Sequence, residues 1–323
     1  MSVTSTFEQD YETVTRGCGL IDRSERGKLA LTGAGAKEFL NGQVTNEIVA
    51  LTPGTGVYAA FLTQKGKMQG DLRVLEVGPP TTPTTELLLD TERPALQDLF
   101  NMIRNYSLGH DVQLHKRTLE SGLLSLIGPQ ADEFLGAQRG TLGTAEHDHM
   151  PIDVAGAPVR AIRTNLGVDL LFAAEDLERV RGAAIAAGAV LVGEEAAECL
   201  RIESGRPRYG VDLDDGVIPQ EAGLNARAVS FTKGCYVGQE TVARLFYKGK
   251  PNRELRGLRS ESALAPGTVL RFEDREVATV TSSAVSPRFG AIALALVRRE
   301  APVGSVVAAD DGSAAEVTEL PFA

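Results

Sequence analysis

The texture of the chain changes at about Pro251, and this change restricts the possible folds more than any other feature. Beyond it, "ELRGLR", "GTVLRF", "EVATVTSS", "AIALALV" and "SVVAA" are short strand-like runs separated by Gly, Pro, Ser and Asp. Such runs predict a small antiparallel barrel or sandwich. Before Pro251, strand-like and helix-like pieces mix. "KLALTG" alternates as a half-buried strand does, and Gly33 to Gly35 turns the chain. "AKEFLNG" spaces Ala36, Phe39 and Leu40 as a short helix ending at Gly42. "VYAAFLTQKGKMQGDLRVLEV" reads as a hairpin turning around Lys65 to Lys67. "GPPTTPTT", residues 78–85, reads as a loop because proline removes amide donors. Arg93 to Arg104 carries Leu96, Leu99, Phe100 and Ile103 at helical spacing, "DVQLH" and "GLLSLIG" are strands, and Ala131–Leu135 and Glu175–Ala187 are helical. Hairpins among mixed elements give an α+β class, with a boundary at residues 248–252 between a region 1–249 and a domain 250–323.

At 323 residues the chain is long enough for two or three domains, and 43% hydrophobic with 24% charged residues is a globular composition. Its 33 basic and 43 acidic residues leave a net charge of -10, which disfavours nucleic acid and anionic membrane as partners. With no apolar run of membrane-spanning length and a polar start, the expected location is cytoplasmic. Cys18, Cys199 and Cys235 are too few and too scattered for a disulfide framework or a four-cysteine cluster.

Residues 200–245 hold most of the chemistry. Glycines recur at 205, 210, 216, 223, 234 and 238, a density suited to tight turns and close backbone approach. In "KGCYVGQE" the glycine-flanked Cys235 is open to three readings: a small buried hydrophobe, a metal ligand, or a reactive thiolate stabilised by the charge of Lys233. Elsewhere "TGAGAKEF" lacks the spacing of a phosphate loop and reads as a turn. His147 and His149 of "EHDHMPID" have no third ligand in local spacing and read as a solvated loop. His110 and His115 lack a nucleophile partner, and Asp212, Asp214 and Asp215 read as a polar turn, so no metal site is expected.

The run "KGCYVGQE", preceded by "RIESGRPRYGVDLDDGVIPQEAGL", resembles the signature of the YgfZ-type folate-binding proteins, relatives of the glycine-cleavage T-protein. The stretches "RGKLALTGAGAKEFLNGQVTNEI" and "YAAFLTQKGKMQGDLRV" are similar to the opening of that superfamily. The resemblance implies a three-domain cloverleaf with a C-terminal antiparallel β-barrel, the region 1–249 being two interleaved α+β domains. It also implies tetrahydrofolate as cofactor and iron-sulfur client enzymes as partners. Glu203 matches the pterin-binding glutamate, and a carboxylate suits the adjacent N–H donors of a pterin. Arg244 matches the position that meets the folate carboxylates. Tyr209 and Tyr106 would give flat contact to the rings, Gln239 and Glu240 would anchor the loop or approach the ligand, and Cys235 with Lys233 would carry the chemistry. The alternative is an aminomethyltransferase. In that branch a catalytic aspartate follows an Asn-Ala pair, whereas "LLLDTERPALQDLF" places Asp90 at the asparagine and Asp98 one residue out of register. The departure favours an accessory protein over a transferase.

Overall fold

A computed structural model of the chain describes residues 6–78 and 86–323. The chain forms two compact units. One comprises Met1–Phe61, Gly70–Ala196 and Thr232–Tyr236; the other comprises Leu62–Gln69, Ala197–Phe231 and Val237–Ala323. Of the expected "GPPTTPTT" loop, residues 79–85 lie outside the described residues.

The first unit contains two sheets. One is five-stranded, in the order Gly56–Leu62, Met68–Glu76, Glu86–Thr91, Gly27–Thr32, Gln113–Lys116. "KLALTG" supplies its strand Gly27–Thr32, antiparallel to both neighbours. The helix Ala36–Gln43 follows, burying Ala36, Phe39 and Leu40 along one face and running one residue past the expected stop at Gly42. The turn between them needs glycine: Gly33 has φ +121°, and a Cβ there would sit 2.2 Å from the carbonyl oxygen of Asp111. Gly35 N–H donates to the same carbonyl at 3.0 Å. The amide of Gly35 is therefore spent on backbone, as in a turn. The expected helix after Arg93 begins as a 3-10 turn, Arg93–Ala95, and continues as Leu96–Tyr106 with Leu99, Met102 and Ile103 buried.

The other sheet has six strands in the order Val190–Leu191, Gly19–Asp22, Ser121–Ile127, Gly167–Ala173, Ala157–Arg163, His149–Val154. Its core gathers Leu20, Leu124, Leu126, Val159, Leu170 and Phe172. The segment "EHDHMPID", expected as a solvated loop, instead opens the strand His149–Val154 and buries His149. Pro151 disguised it. That proline is tolerated because the strand is at the sheet edge and pairs with one neighbour only.

In the second unit the six strands Arg253–Ser260, Gly290–Arg298, Arg275–Ser286, Val269–Phe272, Val306–Ala308 and Ala314–Thr318 close in that order into a barrel. Closure leaves no unpaired edge on strands this short. Leu258, Leu270, Val280, Val297, Val307 and Val317 fill the interior, each contributing roughly 1.5–3 kcal/mol of burial. Outside the barrel, Ile202 of the helix Glu194–Glu203 packs with Leu255, Ile292, Leu294 and Phe322. This contact sets the C-terminal turn of that helix, and so Glu203, on the barrel wall. Among the described residues, no helix is long and apolar enough to cross a membrane.

Candidate functional site

The motif "KGCYVGQE" divides between the two units. In the first, Lys233 and Tyr236 are buried at 8% and 7% exposure, and Gly234 and Cys235 between them are exposed. Lys233 is the anchor: its ammonium donates to the carbonyl oxygens of Asn41, Val44 and Asn46 at 2.6, 2.8 and 2.6 Å. These carbonyls lie at and beyond the end of the helix Ala36–Gln43, where backbone acceptors lack helical partners. Burial pushes the pKa of Lys233 down to about 8 and that of Tyr236 up to about 12. The ammonium also lies 5.3 Å from the centre of the Tyr236 ring. With all three protons on carbonyls, Lys233 has no donor left for Cys235. It therefore organises the loop, and what it has left to act on the thiol is its charge, as expected from the sequence.

Cys235 has no hydrogen-bond partner among the described residues and is the exposed cysteine; Cys18 and Cys199 are buried. Burial, with Glu133 nearby, pushes the Cys18 thiol up to about 11. Burial, with Glu203 beside it, pushes Cys199 up to about 12. A Cβ at Gly234 would meet nothing within 4 Å. The fold thus does not require glycine there, and its absence of side chain leaves the thiol open.

In the second unit the carboxylate of Glu203 is buried at 8% exposure. Its Oε1 accepts from Ser286 Oγ at 2.6 Å and from Cys199 Sγ at 3.5 Å. Cys199 stands four residues earlier on the same helix, hence on the same face. Behind this group Arg201 bridges Asp212 at 2.7 Å, Glu198 at 2.5 Å and Ser282 Oγ at 2.7 Å. Asp212 also accepts from Thr281 and Ser282, each at 2.6 Å. Asp212 is therefore a structural hub, and Asp214 caps a turn by accepting from Gly216 N–H at 2.8 Å.

Tyr209 is buried in the same unit, bridged to Leu213. The helix Gln239–Lys248 starts at Gly238, whose φ is +84° and where a Cβ would lie 2.6 Å from the carbonyl oxygen of Thr63. The second glycine of the motif is thus required by backbone contact. Gln239 is half-buried, Glu240 and Arg244 are exposed, and none of the three has a hydrogen bond or ion pair among the described residues. Phe231 stacks on Phe246 at 3.8 Å beside Tyr247. Tyr106 ends its helix in the first unit at 54% exposure.

Asp90 is not available as a catalytic carboxylate. It is buried between Arg26 at 2.8 Å and Arg73 at 2.6 Å, and Arg73 continues to Asp169 at 2.7 Å. Burial opposes its charge, but Arg26 and Arg73 outweigh that and hold its pKa below the usual carboxylate range. Asp98 is exposed in the first turn of its helix.

The sequence reading missed Ser286, Cys199 and the Arg201–Asp212 hub. The i, i+4 spacing of Cys199 and Glu203 was a usable signal for one pair; Ser286 lies 83 residues away and gave none.

The family model for the GCVT N-terminal domain matches residues 1–233. A chloroplastic protein of Arabidopsis thaliana, named only provisionally as a transferase, is 27% identical over 99% of this chain and 75% of its own. The aminomethyltransferase of Geobacillus kaustophilus is 29% identical over 98% of this chain and 90% of its own. The solved structure of glycine cleavage system aminomethyltransferase T from Bartonella henselae superposes with a TM-score of 0.87 at 23% identity, covering 100% of this chain and 91% of that one, a likeness of fold. The matched family model spans most of the chain, which therefore belongs to the GCVT family.

Proposed function

We propose that this GCVT-family chain is a tetrahydrofolate-binding accessory protein of the YgfZ type that supports iron-sulfur clusters in client enzymes. The observation that carries the reading is the exposed pair Gly234–Cys235 held between buried Lys233 and Tyr236. A thiol without intramolecular partners, on a segment fixed at both sides, suits contact with another molecule's sulfur or metal. One cysteine cannot hold a cluster, so the remaining ligands would come from the client. In the second unit Glu203 would take the pterin edge, Arg244 the folate carboxylates, Tyr209 ring contact, and Gln239 and Glu240 the loop side of the ligand. Lys233 serves by position.

The second reading is an aminomethyltransferase, the activity named for several relatives. Against it stands the double ion pair of Asp90. The two are separated by incubating the protein with tetrahydrofolate and an aminomethylated carrier, and by assaying an iron-sulfur enzyme in cells lacking this protein. The accessory reading expects no methylene-tetrahydrofolate formation and client rescue by wild type but not Cys235→Ser. Turnover that survives in Cys235→Ser, without rescue, establishes the transferase instead.

A further inference from the structure

The first unit contains a cleft of about 360 Å³ between its two sheets, at the small end of the volumes that hold organic ligands. Its floor is apolar, with Leu75 and Leu88 from the five-stranded sheet and Leu123 and Leu171 from the six-stranded one, the leucines that share a sheet face with Arg73 and Arg160. The mouth is framed by exposed Glu120, Pro151, Pro158 and Ala173.

The charged side chains around it are engaged within the fold, and Arg160 is the one whose fork stays open. Arg73 and Arg26 are matched by Asp90, Asp169 and Glu92. Lys28, buried and facing the same Asp90, donates to the carbonyls of Ser24 and Arg26 at 2.8 and 3.0 Å. Arg117 meets Glu120 at 2.6 Å. Arg160, also on the cleft wall, has no carboxylate within 4.0 Å among the described residues, and Glu86 acts on it only through space. Its Nη1 donates to His149 Nδ1 at 2.9 Å, and His149 Nε2 in turn lies 3.2 Å from the carbonyl oxygen of Thr55. Those partners fix the tautomer: Nδ1 accepts and Nε2–H donates, so His149 is neutral and adds no counter-charge. Burial together with the Arg160 charge keeps it so, pushing its pKa down to about 4.

His149 orients Arg160 through one nitrogen and leaves the Nε and Nη2 fork without an acceptor among the described residues. That fork is the edge that holds a carboxylate by two parallel hydrogen bonds. We propose that this cleft binds a small organic monoanion with an apolar body, a medium-chain carboxylate, whose charged group sits on Arg160 and whose hydrocarbon lies on the leucine floor. One open guanidinium fork takes one anionic group. The site lies within one unit and is independent of the folate reading.

The test is calorimetric titration of octanoate and of octanamide, its neutral isostere, into the full chain. Octanoate binds saturably and at least about tenfold more tightly than octanamide. Arg160→Gln, which removes the guanidinium fork and its charge, weakens octanoate by about 10- to 100-fold and removes the preference, the change expected for loss of a charged hydrogen-bond pair. Leu88→Trp, which fills the cleft from the five-stranded sheet and not from the strands beside Arg160, abolishes binding of both. Binding in Glu203→Gln, with or without tetrahydrofolate, matches wild type. Equal affinity for octanoate and octanamide, absence of octanoate binding, unchanged affinity in a folded Arg160→Gln, or displacement of octanoate by tetrahydrofolate overturns the proposal.

Discussion

The Ser286 hydroxyl donates to Glu203 Oε1 at 2.6 Å, fastening the end of the helix Glu194–Glu203 to the long barrel strand Arg275–Ser286. Ser286 Oγ is itself fixed, accepting from the amides of Arg288 and Phe289 at 3.0 and 2.9 Å. The Glu203 carboxylate is thus held in orientation by groups 83 residues away in sequence. Ser286→Ala removes a buried hydrogen bond to a charged acceptor, and urea denaturation should show a loss of about 1.5–3 kcal/mol. A change within about 0.5 kcal/mol would mean the carboxylate is held without it.

The three cysteines should separate cleanly under a disulfide reagent. Cys18 and Cys199 are buried with thiol pKa values of about 11 and about 12, whereas Cys235 is exposed. Native protein should therefore release one equivalent rapidly and the other two only on unfolding. Cys235→Ser should remove the rapid phase. A rapid phase remaining in that variant would contradict the burial of the other two.

Lys233→Met should destabilise the first unit by about 3 kcal/mol, because three enclosed carbonyls lose their shared donor. The decrease is read from denaturant midpoints at constant m-value. Because the donors of Lys233 are all on carbonyls and only its charge can reach the thiol, Lys233→Arg, which keeps that charge, should leave the rate of Cys235 modification at a fixed pH within about twofold; a shift toward about tenfold would show that Lys233 acts on the thiol through a donated hydrogen bond.

His149 makes stability depend on acid. Its folded pKa of about 4 lies below the ordinary 6.5, so between these values the unfolded chain binds the extra proton. Stability is complete above about pH 6.5 and is lost as pH falls toward about 4, by up to about 3 kcal/mol. His149→Gln should flatten that part of the pH profile while leaving the later loss, below the usual carboxylate range, that comes from Asp90. A profile with the same slope in His149→Gln would assign the titration elsewhere.

Local pattern sufficed where structure is local. The helix Ala36–Gln43, the hairpin and the barrel strands follow from spacing and turn residues. The strand His149–Val154 was hidden because an edge position admits Pro151 and a buried histidine, neither of which resembles strand alternation. At the candidate site, Cys235 and Glu203 could be singled out from the motif. The partners of Lys233 at Asn41, Val44 and Asn46, the Ser286 contact and the capture of Asp90 by Arg26 and Arg73 could not. Each joins segments far apart in sequence, and a charge in a sequence does not reveal whether its donors are already in use.

Calorimetric titration of tetrahydrofolate into wild type, Glu203→Gln and Cys235→Ser decides whether Glu203 belongs to a folate site and Cys235 to a separate function. Binding should be saturable in wild type, at least about tenfold weaker in Glu203→Gln, which keeps the size of the side chain but loses its charge, and unchanged in Cys235→Ser. No binding by wild type, or equal binding by wild type and a folded Glu203→Gln, would contradict a folate site at Glu203.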